Sequence, residues 1–133
     1  MKKIMIVDDE AFIRTIVGKE LLSLGYEVSY SVDGLDCLNK LTELIKLNDA
    51  DTNLKGHLDL IILDVMMPRL DGYETCSRIR QELGLSLPVI FLSSNALKSS
   101  IIKAIQSGGN EYIIKSPDST KLIQKIEEFI SET

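Results

Sequence analysis

The chain alternates between two hydrophobic rhythms. Apolar runs recur at residues 4–7, 58–63 and 87–92, the pattern of strands buried on both faces. Weaker runs at 26–31 and 111–114 complete a set of five strands. Between them, apolar residues fall at helical spacing. A first helix is predicted over 10–24, carrying Phe12, Ile13, Ile16, Val17, Glu20, Leu21 and Leu24, with Gly25 as its stop. Asp33 can cap a second helix bearing Leu35, Leu38, Leu41 and Ile45. A third follows Asp71-Gly72 with Tyr73, Cys76, Ile79 and Leu83. A fourth spans 96–106 and ends at Gly108-Gly109. The last covers 119–130, with Leu122, Ile123, Ile126, Phe129 and Ile130 on its inner side.

Strands alternating with helices through short connections imply parallel strands, right-handed crossovers and helices on both faces. The fold expected is α/β: a doubly wound, five-stranded parallel sheet of flavodoxin-like order 2-1-3-4-5. At 133 residues, with 44% apolar and 26% charged residues, the chain suits a single domain over 1–133. One connection breaks the rhythm. Residues 48–57, "NDADTNLKGH", form a polar insertion between the second helix and the third strand. Asp49, Asp51 and Asn53 begin like a calcium loop, but Leu54 stands where that loop needs Gly and Leu60 where it needs Glu. A solvated loop, on the sheet rim away from any strand-end site, is the expectation, with His57 a surface or hydrogen-bonded histidine.

Charge and cysteines narrow the function. A net charge of −5 argues against a nucleic-acid surface. Cys37 and Cys76 lack metal-ligand spacing and read as reduced structural thiols. The opening "MKKIMIVDDE" has too short an apolar run for a signal peptide, and no run approaches a membrane span. A soluble, cytoplasmic protein is expected.

The chemistry gathers at strand ends. Asp8 and Asp9 end the first strand and Asp64 ends the third. In the order 2-1-3-4-5 these strands are neighbours at the switch point, where ligands bind beyond the carboxyl ends. Three carboxylates there repel one another and should recruit a cation, and oxygen ligands with room for water suit Mg²⁺. One Asp suffices to cap a helix, so the set exceeds that need. Ser93 and Ser94 follow the fourth strand and Lys115 the fifth. Singly, each reads as a loop hydroxyl or a surface charge. Together, at the same edge as three Asp, they suit a dianion such as a phosphoryl group.

The segments "IMIVDDE", "LIILDVMMPRLDG", "PVIFLSS" and "GGNEYIIKS", in this order, resemble the receiver domain of two-component response regulators. The resemblance covers nearly the whole chain. It implies that Asp64 is a phospho-acceptor, taking a phosphoryl group from a sensor histidine kinase or phosphotransfer protein. It further implies that Asp9, Asp64 and the backbone carbonyl of Met66 bind Mg²⁺ directly, with Asp8 acting mostly through water. By the same resemblance Lys115 is the phosphate-facing lysine, Ser93 the switch hydroxyl and Tyr112 the switch aromatic. Pro68 and Gly72 match the loop that shapes the pocket, and Met66 and Asn95 flank the site at positions that tune phosphoryl loss. The domain would catalyse its own phosphorylation and slow dephosphorylation. Phosphorylation would shift the face of the fourth helix, fifth strand and fifth helix toward a downstream protein target, without contact to nucleic acid or membrane. If Thr133 is the natural end, signalling passes by protein–protein contact.

Two features depart from the family pattern. Ser116, in place of the usual Pro, follows Lys115, and Pro117 comes one later. A cis bond before Ser costs about 3–4 kcal/mol, so a trans or strained bond is expected there. The insertion at 48–57 is the second. Rival readings fare worse. Haloacid-dehalogenase-like phosphohydrolases use D-x-D, whereas Met66 stands at the third position. A flavin protein of this fold needs a hydroxyl- and glycine-rich loop after the first strand. A pseudo-receiver, a binding module that never takes phosphate, is the main alternative, and the complete Asp8, Asp9, Asp64, Ser93 and Lys115 set argues against it.

Overall fold

The computed structural model describes residues 1–48 and 54–130. Ten elements alternate: β1 (Lys3–Val7), α1 (Ala11–Ser23), β2 (Glu27–Ser31), α2 (Gly34–Asn48), β3 (Leu60–Leu63), α3 (Gly72–Gln81), β4 (Val89–Ser93), α4 (Lys98–Gln106), β5 (Glu111–Ile114) and α5 (Thr120–Ile130). The strands form one parallel sheet of order β2-β1-β3-β4-β5. Every element expected from the hydrophobic pattern is present, and the sheet order is the one expected.

Alternation along each strand divides the core in two. Met5 and Val7, Ile61 and Leu63, Val89 and Phe91 face one side, where they meet Cys37 and Leu41 of α2, Cys76 and Ile79 of α3, and Ala104 of α4. Ile4 and Ile6, Leu60 and Ile62, Ile90 and Leu92 face the other, against Leu21 of α1 and Leu122, Ile126 and Ile130 of α5. Both cysteines are buried and unpaired, and burial pushes both thiols up in pKa, which keeps them protonated and inert. Asp33 accepts from the Asp36 N–H at 2.8 Å, and Asp71 from that of Glu74, also at 2.8 Å.

Two expectations need correction. The apolar stripe of α1 is mostly outside: Phe12, Ile16 and Leu24 are exposed, while Gly18 and Leu21 are buried. Gly18 lies against the Tyr30 ring of β2, where an added Cβ would come within 2.2 Å of the hydroxyl. The insertion is also not wholly solvated. Leu54 is fully buried in the α2–α3 core and takes a positive φ of 54°, and its carbonyl accepts from the N–H groups of His57 and Leu58. An apolar residue inside a polar run anchors the connection to the core. The partial calcium motif at Asp49, Asp51 and Asn53 lies outside the described residues.

Arg80 of α3 ties together the rim at the start of β4. Its guanidinium donates to the carbonyls of Gly108 (3.0 Å), Leu85 (3.0 Å) and Leu87 (2.7 Å) and to Asn110 Oδ1 (2.9 Å). Asn110 Oδ1 also accepts the Val89 N–H at 2.8 Å. Removing the guanidinium leaves several half-buried acceptors unpaired, each a penalty of about 1–3 kcal/mol before water relieves some of it. Arg80→Met should therefore lower stability by roughly 2–3 kcal/mol in urea denaturation, and Arg80→Lys should recover only part, because an ammonium lacks the fork geometry.

Candidate functional site

Hydrogen bonds carry the sheet ladder one residue past three strands, and the residues so held are chemical. Asp8 N–H donates to Ser31 O (3.2 Å), Asp64 N–H to Val7 O (3.0 Å) and Lys115 N–H to Ser93 O (2.8 Å). Asp8, Asp64 and Lys115 thus project from β1, β3 and β5 on backbone that cannot drift. Asp8 and Asp64 are 2% and 4% exposed, so neither carboxylate is relieved much by water. The Lys115 ammonium lies 3.0 Å from Asp8 Oδ2 and 3.4 Å from Asp64 Oδ2. Asp64 Oδ1 accepts the Val65 N–H at 2.8 Å.

These contacts set the electrostatics. Burial pushes the Asp64 carboxyl up, the Asp8 charge adds to it and Lys115 opposes, leaving it at about 6 against an ordinary 3.8. Burial alone would lower Lys115. The hydrogen bond to Asp8 and the charges of Asp64, Asp8 and Glu10 outweigh that, so its pKa is raised. The Lys115–Ser116 bond is trans, as are all peptide bonds among the described residues. Lys115 reaches both aspartates without the family's proline.

The loop after β3 closes on the site. Gly72 N–H donates to Val65 O at 2.8 Å, and a Cβ on Gly72 would come within 2.1 Å of the Asp64 carbonyl oxygen. Pro68 is exposed, and its carbonyl accepts the Leu70 N–H at 2.8 Å. Arg69, at a positive φ of 69°, pairs with buried Asp33, whose carboxyl the Asp36 N–H and Arg69 hold below its ordinary value. Met66 is exposed beside Asp64.

Ser93 is the last residue of β4, buried, and its hydroxyl accepts the Asn95 N–H at 3.2 Å. Tyr112 is also buried: its ring stacks on Phe91 at 6.2 Å, and its hydroxyl donates to the Asn95 carbonyl at 2.6 Å. Asp9 is exposed, and among the described residues the three carboxylates with oxygens within 4.8 Å of one another are Asp8, Glu10 and Asp64. Sequence reasoning took Glu10 as the opening residue of α1. Its place directly after Asp8-Asp9 was the signal for a third acid at the site. An all-oxygen group of this kind, partly buried and facing water on one side, fits a hard divalent cation such as Mg²⁺.

A sequence model of the response regulator receiver domain matches residues 4–127. The chain belongs to the response regulator receiver family. It is 38% identical over 112 residues to the sensor histidine kinase RcsC of Escherichia coli K12, covering 84% of this chain and 10% of that protein. It is 33% identical over 132 residues to the probable transcriptional regulator ycf27 of Cyanophora paradoxa, covering 99% and 49%. The receiver thus spans from a tenth to about half of these relatives. Among solved structures, the response regulator TrrA of Thermotoga maritima, in complex with Mg²⁺-BeF, matches with a TM-score of 0.80 at 29% identity, covering 98% of this chain and all of that one. Receiver domains bind Mg²⁺ at their acidic pocket and interact with histidine kinases and downstream targets. No helix among the described residues is long and apolar enough to cross a membrane.

The raised Asp64 carboxyl has a measurable consequence in metal-free protein. The folded state binds the Asp64 proton more tightly than the unfolded chain does. Its stabilising contribution is therefore complete below about pH 4 and is lost as pH rises through about 6. Asp64→Asn cannot ionise. With chelator present it should be more stable than the native receiver by roughly 1–3 kcal/mol above about pH 7, and the gap should close between about pH 6 and 4. Thermal unfolding across that range reads it directly.

Proposed function

We propose that residues 1–133 act as one phosphoacceptor switch, in which Asp64 receives a phosphoryl group from a histidine kinase or phosphotransfer protein in a Mg²⁺-dependent reaction. The observation that carries this reading is a buried Asp64 carboxylate held between Asp8 and the Lys115 ammonium at the carboxyl edge of the sheet. An Asp64 oxygen attacks phosphorus. The bond from phosphorus to the donor's imidazole nitrogen, or to the oxygen of a small acyl phosphate, breaks, and its electron pair leaves with the donor. Asp64 acts in its ionised form, which Lys115 favours against burial and against Asp8. Lys115 then offsets charge on the transferred group. Mg²⁺, held by Asp64 and Asp9 with the Met66 carbonyl, and by Asp8 through water, would neutralise further charge there. Met66 and Asn95 flank the site and tune how fast water removes the group.

The output follows from Ser93. A phosphoryl group on Asp64 offers acceptor oxygens to the Ser93 hydroxyl and to Lys115. Drawing that hydroxyl toward the phosphoryl group would loosen its bond to the Asn95 N–H, and the Asn95 carbonyl is what holds the Tyr112 hydroxyl. The surface of α4, β5 and α5 is thereby biased between two arrangements to control a protein target.

Incubation with acetyl phosphate and Mg²⁺ should add one phosphoryl mass increment to the intact chain. Asp64→Asn should abolish it and chelator should suppress it. A native chain that takes no increment under these conditions would be a pseudo-receiver, and the proposal would be lost. For the switch, a beryllofluoride mimic should perturb the backbone NMR signals of α4 and the Tyr112 ring in native protein and much less in Ser93→Ala. Equal perturbation in both would remove Ser93 from the coupling.

A further inference from the structure

Glu10 has no role in the family signature, yet the structure gives it one. It occupies the N-cap of α1 in extended conformation, and its side chain makes no capping hydrogen bond. Local capping is done by Asp8, whose Oδ1 accepts the Glu10 N–H at 2.9 Å. The Glu10 carboxylate turns instead toward the site and meets the Lys115 ammonium at 3.4 Å, while remaining 61% exposed itself. Asp9, its neighbour, is exposed and is not part of that group.

Lys115 therefore has three carboxylate partners with three N–H donors to give. Two, Asp8 and Asp64, are buried, and both also serve the proposed cation, Asp64 directly and Asp8 through water. The third, Glu10, lies on the solvent side. An ammonium and a divalent cation compete for the same oxygens, and whatever draws the ammonium outward eases that competition. We propose that Glu10 is a positioning residue for Lys115: it holds the ammonium toward the mouth of the site and so weakens the hold of Lys115 on Asp64, which ligates the cation, and on Asp8, which meets it through water. This rests on the phosphoacceptor reading for the meaning of the site, but the coupling concerns cation binding and can be measured without phosphoryl transfer.

The effect is modest, because an exposed carboxylate is partly screened. It differs from direct attraction of the cation by Glu10 in one respect: it needs Lys115. The test is a double-mutant cycle on Mg²⁺ affinity, read by calorimetry in native protein, Glu10→Gln, Lys115→Met and the double variant. Glu10→Gln should weaken Mg²⁺ binding about fivefold in the native background. In the Lys115→Met background, where Mg²⁺ binds more tightly, the same change should matter by about twofold or less. Thermal unfolding of Glu10→Gln should match the native chain, which separates positioning from a fold defect. The Lys115 side-chain nitrogen signal should shift in Glu10→Gln before any metal is added. Equal losses of Mg²⁺ affinity in both backgrounds, or no loss in the native one, would overturn the proposal. Acetyl phosphate labelling of the native chain, run in parallel, reports separately on the phosphoacceptor reading. Coupling without labelling would sink that reading and leave the role of Glu10 in place.

Discussion

Asp8 and Asp64 bring like charge together where water barely reaches, and the arrangement of the whole sheet edge follows from managing that repulsion. An isolated buried carboxylate is expensive and would take up a proton instead of staying charged. Asp64 goes part of the way, with its carboxyl raised to about 6. Lys115 stops it going further by standing 3.0 Å from Asp8 and 3.4 Å from Asp64. A cation at this place serves two ends. It favours the ionised form of Asp64, and it would face any further negative charge placed on that carboxylate. The same repulsion makes the pocket receptive to a divalent metal, since any added positive charge relieves it.

The fold makes this tension tolerable by fixing the backbone. Strands β1, β3 and β5 each run one ladder hydrogen bond beyond their last residue, and those bonds belong to Asp8, Asp64 and Lys115. The apolar strands behind them are buried on both faces, so the charged ends cannot retreat from one another without unpacking the core. Gly72 contributes by close approach: only a residue without Cβ lets the start of α3 press on the Asp64 carbonyl. The opposite rim is tied by Arg80, whose guanidinium gathers four acceptors from two segments of chain.

Much of this was legible in the sequence, for a physical reason. Strands buried on both faces must be largely apolar, so the runs at 4–7, 58–63 and 87–92 declare themselves, and the residues that end such runs, Asp8, Asp64 and Ser93, are conspicuous against them. Side chains that meet only in space were less legible. Nothing in a pattern of periods shows that Gly18 would lie against Tyr30 or that Phe12 and Ile16 would be left outside, because that depends on how close one helix lies to the sheet. Leu54 looked like part of a polar loop because its neighbours in sequence are polar, while its neighbours in space are core residues. Glu10 was hidden in another way. A glutamate opening a helix is ordinary, and its turn toward Lys115 becomes visible only when β1 and β5 are seen end-on.

How a change at Asp64 reaches a surface is a matter of which contacts share a partner. Asn95 is that shared partner: its N–H donates to the Ser93 hydroxyl, its carbonyl accepts the Tyr112 hydroxyl, and its side chain accepts the Leu97 N–H at 3.0 Å, one residue before α4 begins. Ser93, the Tyr112 hydroxyl and the residue that precedes α4 are thus joined through hydrogen bonds of one residue, Asn95. The rings extend the connection inward. Tyr112 stacks on Phe91, Phe91 lies 6.1 Å from Tyr73, and the Lys103 ammonium of α4 stands 5.0 Å over the Tyr73 ring. Each of these contacts is weak, of the order of 1 kcal/mol. They run in series from the buried Phe91 and Tyr112 rings out through half-buried Tyr73 to exposed Lys103. Helix α4 is thus contacted just before its start by Asn95, through the Leu97 N–H, and within its length through Lys103 over the Tyr73 ring. Serine at position 93 lacks the methyl that stiffens a threonine, so its side chain has more rotamer freedom than a threonine would.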